Sequence, residues 1–194
     1  MEDGIHKPAG FIPAVKPNPG IGMVVSKNYD PKSYYCVFCH TSKEKEVERS
    51  LSGAGYSVIT SLTERTVHKN GKETKELRTV MPGYVFFESE KEPEWSEIEK
   101  KNHVFYALHY GKNEKKLRGS DLMFVKWLAG NSGTMKISKA VKTGTKIKIV
   151  EGPLKEMEGM ITKINSRQKC AKVTIKGGIV NTSLWLSYEV IEAV

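Results

Sequence analysis

Three cysteines are too few for a disulfide framework, which points to a reducing compartment. No run of eighteen apolar residues is present, which argues against a membrane-spanning helix. The N-terminal segment also lacks the apolar stretch of a secretory signal. There is no P-loop, no G-x-S-x-G elbow and no paired-histidine zinc motif. His6, His68, His103 and His109 are scattered, so catalysis, a metal and a cofactor are not expected. Cys36-Val37-Phe38-Cys39-His40 matches the spacing of c-type haem attachment, which would make a redox or haem enzyme the competing class. On a strand, however, positions three apart point to opposite faces, so these two thiols cannot converge on one ion. Cys170 stands alone.

What the chain does have is a basic excess, 31 Lys and Arg against 22 Asp and Glu for a net +9. That balance suits a polyanionic partner, and the first expectation is a cytoplasmic, nucleic-acid-associated protein. Met1 to Lys32 holds five of the eight prolines and four glycines, which disfavours helix and ladder strand and predicts an extended arm. Met23 is an alternative start that would leave residues 1–22 as a leader.

From Ser33 to Ala129 the pattern predicts a small α+β sandwich. Tyr34 to Cys39 is aromatic and β-branched enough for a strand. Thr41 and Glu44 have capping-box spacing ahead of Val47, Leu51 and Ala54, with Gly53 and Gly55 ending that helix. After a strand at Ser57 to Leu62, the Asn70-Gly71 step predicts a hairpin flanked by Arg65, Lys69, Lys72, Lys75 and Arg78. Pro82-Gly83 is a turn feeding the strand Tyr84-Val85-Phe86-Phe87, whose two faces are both apolar. Either that strand is central and covered twice, or one face meets another macromolecule. Pro93 opens a short helix with Trp95 and Ile98, Val104 to Tyr110 is a strand, and Ser120 caps a helix with Leu122, Val125 and Leu128 inward.

Residues 130–141 are turn-rich with little regular pattern and read as a linker between domains. From Lys142 to Val194, Lys146/Ile147/Lys148/Ile149 and Ala171 to Lys176 alternate, with Gly and Asn turns between four or five short strands. This predicts a small closed all-β barrel. It carries nine basic and five acidic residues. Lys163, Arg167, Lys169, Lys172 and Lys176 gather around one hairpin and, with Lys155, form the candidate RNA-binding set, against the plainer reading of a solvated charged face.

Together these residues resemble the NusG family of transcription elongation and antitermination factors. Tyr34-Tyr35 resembles the family's Trp-Tyr start, and Met81-Pro82-Gly83-Tyr84-Val85-Phe86 its Phe-Pro-Gly-Tyr-Val signature. Gly144 to Ile164, with Val150-Glu151-Gly152-Pro153-Leu154 and Glu158-Gly159, is similar to the KOW motif. The stretch Gly152 to Gly159 followed by Lys163-Ile164 looks most like specialised LoaP-type paralogues. The resemblance implies a NusG N-terminal α/β sandwich at 33–129 followed by a KOW (SH3-like) barrel at 142–194. It implies a monomer whose first domain docks on the clamp helices of the largest RNA polymerase subunit. Met81, Tyr84, Phe86 and Tyr110 would make that contact, leaving Val85 and Phe87 to the core. Trp95 and Ser96 would turn toward the opposite lobe, so that bridging holds the clamp closed and favours processive antitermination. The LoaP-type likeness implies recruitment through a structured leader-RNA hairpin. The alternative is a general elongation factor whose barrel binds termination factor Rho or a small-subunit ribosomal protein, and a ribosomal RNA-binding barrel with an added domain is a third reading.

Overall fold

A computed structural model describes residues 32–191 of the chain, so the arm expected over Met1 to Lys32 lies outside the described residues except for Lys32. Its centre is a four-stranded antiparallel sheet in the order β2-β5-β1-β6, built from β1 (Ser33–Cys39), β2 (Ser57–Ile59), β5 (Tyr84–Ser89) and β6 (Val104–Ala107). The two middle strands carry the aromatic and β-branched runs, which places the largest side chains where both faces are covered.

One face packs Tyr35, Val37, Val85 and Phe87 against Val47 and Leu51 of helix α1 (Glu44–Gly53) and Ile98 of the short helix α2 (Trp95–Ile98). The other packs Tyr34, Cys36 and Phe86 beneath helix α3 (Gly119–Gly130), where Phe86 and Phe124 meet edge to face at 5.8 Å. Phe86 is therefore 0% exposed, and the expectation that it meets a partner is corrected, whereas Tyr84 farther along the same face is only half-buried. Cys36 and Cys39 do fall in opposite clusters, so no ion could take both. Burial pushes the Cys36 thiol well up, and burial together with the carboxylates of Glu44 and Glu48 brings Cys39 to about 11.

Both predicted helix caps are replaced. Helix α1 starts at Glu44 behind Lys43 with no side-chain cap, and Thr41 plays no part. The Glu44 carboxylate reaches across instead to accept the Gly83 N–H at 2.7 Å, which ties the Pro82-Gly83 turn to the helix. Helix α3 begins one residue before Ser120, so the Ser120 hydroxyl sits inside the first turn, buried and unpaired.

The hairpin about Asn70-Gly71 forms as β3 (Leu62–Lys69) and β4 (Lys72–Thr79). Residues 130–141, read from the sequence as a linker, carry β7 (Thr134–Met135), parallel to β3, and the first four residues of β8 (Ser138–Thr143). The Leu62 N–H donates to the Gly133 carbonyl at 2.9 Å, which stitches this stretch to the first unit.

The remaining strands, β9 (Lys146–Glu151), β10 (Ile161–Asn165), β11 (Cys170–Ile175) and β12 (Thr182–Ile191), form a five-stranded sheet with β8. Its order is β10-β11-β12-β8-β9, with β12 parallel to β8. Among the described residues β9 and β10 are not hydrogen-bonded to each other, so the pairing is that of an open sheet rather than the expected closed barrel. The link between them is helical, α4 (Pro153–Glu156) and a 3-10 turn at Glu158–Met160, and it buries Leu154 and Met157 across the gap. No helix among the described residues is long and apolar enough to cross a membrane.

Candidate macromolecular interfaces

The exposed aromatic surface lies where β1, β5 and β6 run out beyond the cover of α3. Phe38 is opposite Tyr84 on one side and Tyr106 on the other, so strand register alone sets three rings in a row. Ring centroids are 5.2 Å apart for Phe38–Tyr84 and 5.5 Å for Phe38–Tyr106. The pairing of β1 with β6 slips after Phe38, with Cys39 opposite Val104, which makes Phe105 the extra residue of a bulge. The bulge brings Phe105 and its neighbour Tyr106 onto one side, Phe105 at 5.6 Å from Phe38 and 4.3 Å from His40. Phe105 and Tyr106 are 49% and 51% exposed. A continuous ring cluster held open to water by backbone geometry is the composition of an interface core.

Gly83 sets the floor of this patch. Its φ of +83° is a left-handed conformation, and a Cβ there would lie 3.0 Å from the Phe38 ring and 3.2 Å from the Cys39 carbonyl. Gly83→Ala is expected to cost about 1–2 kcal/mol. Urea denaturation would register it, accompanied by a change in the near-ultraviolet circular dichroism of the displaced rings. An unchanged midpoint and spectrum would refute this account of the turn.

The expected contact residues divide among different places. Tyr84 belongs to the patch, and burial holds its phenol above the usual range. Met81 is buried in the same cluster as Phe86, beneath the surface. Trp95 lies on the far side of the sheet, meeting Tyr35 edge to face and Phe87 at a tilt, with its indole N–H donating to Glu92 at 2.6 Å, and Ser96 beside it is exposed. Tyr110 is half-buried and donates its hydroxyl proton to Asp121 at 2.5 Å. Burial and that carboxylate raise its pKa.

Asp121, 0% exposed, also accepts the N–H groups of Ile179 and Val180 at 2.8 and 3.1 Å. It thereby joins α3 to the loop between β11 and β12. A Cβ on Gly178 would overlap the Asp121 carboxylate, so only glycine lets that loop approach. The Arg65 guanidinium donates to the Trp185 carbonyl at 3.2 Å, and Asn131 donates to Glu156 at 3.0 Å. One hydrophobic cluster runs from Phe86 and Phe124 through to Val173 and Leu186. Sequence reasoning missed this seam because Asp121 looks like any acidic residue in a first helical turn.

The candidate RNA-binding residues form a looser set. Lys163 and Lys172 are register partners on β10 and β11. Arg167 and Lys169 occupy the β10–β11 turn, whose shape is fixed by Asn165 accepting the Gln168 N–H at 3.0 Å. Lys176 follows the far end of β11. Lys155 stands apart on α4, paired with Glu158.

Residues 32–123 match the family model described as NusG, transcription termination factor nusG. No curated protein matches the chain. Among solved structures the chain is similar to one described as "Domain interaction in Thermotoga maritima NusG", at 20% identity and a TM-score of 0.47, over 80% of this chain and 93% of that one.

Proposed function

We propose, from the match of residues 32–123 to the NusG family model, that the protein is a transcription factor that docks on RNA polymerase through the Phe38/Tyr84/Phe105/Tyr106 patch. The observation that carries this reading is the pair Phe105 and Tyr106, each about half exposed beside Phe38 at the bare end of an otherwise covered sheet. Aromatic side chains bring large rigid contact area at low entropic cost, which is why a few of them dominate binding energy at interfaces. The docking partner proposed from the family resemblance is the clamp of the largest polymerase subunit. Trp95 and Ser96, on the other side of the sheet, are available to a second lobe. Contact with both lobes would favour the closed clamp by differential affinity and reduce pausing.

The finer reading is processive antitermination with recruitment through a leader-RNA hairpin held by the cationic face of the second sheet. The supporting feature is charge: residues 161–188 contain five basic side chains and no carboxylate. A terminator read-through assay with purified polymerase tests the reading, with and without a leader transcript. Read-through is expected to rise with the protein and to rise further when the leader hairpin is present. Stimulation indifferent to the transcript would favour a general elongation factor, and no stimulation would refute the proposal.

A further inference from the structure

The outer face of β10, β11 and β12 carries a row that the charge pattern alone does not reveal. Cross-strand register sets Lys163 beside Lys172 and Lys172 beside Trp185. On β12 the inward positions are Leu184, Leu186 and Tyr188, so Trp185 points outward, half-buried and outside both hydrophobic clusters. Among the described residues its indole N–H has no protein partner, and neither Lys163 nor Lys172 has a carboxylate partner. Arg65, from the first unit's hairpin, closes the row by donating to the Trp185 carbonyl at 3.2 Å. Two residues along the same face, the exposed hydroxyls of Thr162, Thr174 and Ser183 form a chain with spacings of 3.0 and 3.1 Å.

We infer that this row binds unpaired RNA, with one base stacked on Trp185 and the phosphates that follow it toward β10 held by Lys172 and Lys163. The inference rests on the RNA-binding reading above and narrows it from a duplex gripped by its phosphates to a single strand read through a base face. Three features favour that ligand. A tryptophan projecting from a sheet beside a row of cations offers what a splayed base needs, a π surface with phosphate anchors alongside it. The absence of any carboxylate across residues 161–188 gives that surface one sign of charge. The hydroxyl chain supplies uncharged donors and acceptors on the same face as the row. Arg65 is a positioning residue here, since its bond is to the strand that carries Trp185.

The test is fluorescence anisotropy on the full chain, with an unstructured pyrimidine RNA of about a dozen nucleotides and an RNA duplex of the same length. Trp185→Ala is expected to weaken single-strand binding by roughly 5- to 150-fold, the range for loss of one base–aromatic stack. Trp185→Phe should keep most of the affinity, which separates loss of stacking from loss of folding. Lys163→Ala and Lys172→Ala should each lower the slope of log affinity against log salt by about 0.7. If Trp185→Ala leaves single-strand binding unchanged while the lysine variants weaken it, the stacking site is overturned and the broader RNA reading stands. Failure of the unmodified chain to bind either RNA would overturn both. Competition by a polyglutamate peptide as effective as the single strand would also overturn the inference, because charge alone would then suffice.

Discussion

Phe86→Ala is expected to destabilise the protein by about 3–5 kcal/mol, whereas Tyr106→Ala leaves stability within about 1 kcal/mol of the unmodified chain. The two rings sit on the same sheet and differ in what covers them. Phe86 is 0% exposed against Phe124 of α3, so its removal leaves a cavity among Cys36, Phe124 and Leu128 that the packed surroundings cannot fill. Tyr106 is 51% exposed at the bare end of the sheet, and truncating it removes little that folding had buried. Polymerase binding should show the opposite ranking. The Phe105→Ala, Tyr106→Ala double variant is expected to weaken binding by about 30- to 1,000-fold, as for loss of an interface hot spot, at nearly unchanged stability. Urea denaturation and a polymerase titration measure the two quantities separately. A folded Phe86→Ala protein of normal stability would refute the packing account. A double variant that binds polymerase normally would refute the docking patch.

The second large effect belongs to Asp121. Its carboxylate serves three donors, the Ile179 and Val180 N–H groups and the Tyr110 hydroxyl, in a place closed to water. Hydrogen bonds to a charged acceptor contribute about 1.5–3 kcal/mol each, so loss of the two amide bonds in Asp121→Ala is expected to cost at least about 3 kcal/mol of docking between α3 and the β11–β12 loop. Hydrogen exchange reads this directly. The Ile179 and Val180 amides should lose on the order of 100-fold in protection, while amides of β1 and β5 keep theirs. Asp121→Asn should fall nearly as far, because its amide group would turn a donor toward one of the same N–H groups. Unchanged protection at Ile179 and Val180 would mean that the hydrophobic cluster alone holds the seam.

The consequence for function lies in the geometry of the two surfaces. The aromatic patch is at the end of β1, β5 and β6, and the cationic row is on β10 to β12, reached by Arg65 from the first unit's hairpin. With Asp121 in place the two are carried on joined elements rather than on domains separated by a loose tether. A polymerase-bound molecule would then present the cationic row in a fixed direction, and the local concentration of nascent transcript near it would be high.

Much of the architecture was legible in the chain itself. Alternation and turn chemistry located β1, β5, the Asn70-Gly71 hairpin and the strands after Lys142, because side-chain period and φ preference are local properties. Phe86 was expected at the surface because both faces of that strand are apolar, and local pattern cannot say how much of a face a distant helix will cover. The caps failed for a related reason: Glu44 satisfies a backbone N–H 39 residues away in place of its own helix end. Residues 130–141 looked structureless because β7 and β8 are short strands whose partners, β3 and β12, are far off in sequence.

The sequence by itself determined β1, β5, the Asn70-Gly71 hairpin, the basic character of the second half and the opposed faces of Cys36 and Cys39, since each follows from residue type and short-range spacing. Only the tertiary structure decided which rings stay in water, through the bulge that makes Phe105 and Tyr106 neighbours on one face and through the helix that covers Phe86. It alone decided that Asp121 joins the two halves and that Trp185 stands between Lys172 and the Arg65 hairpin. The physical reason is common to all of these: burial and hydrogen-bond satisfaction are set by groups far apart in the chain, and no local pattern encodes where those groups arrive.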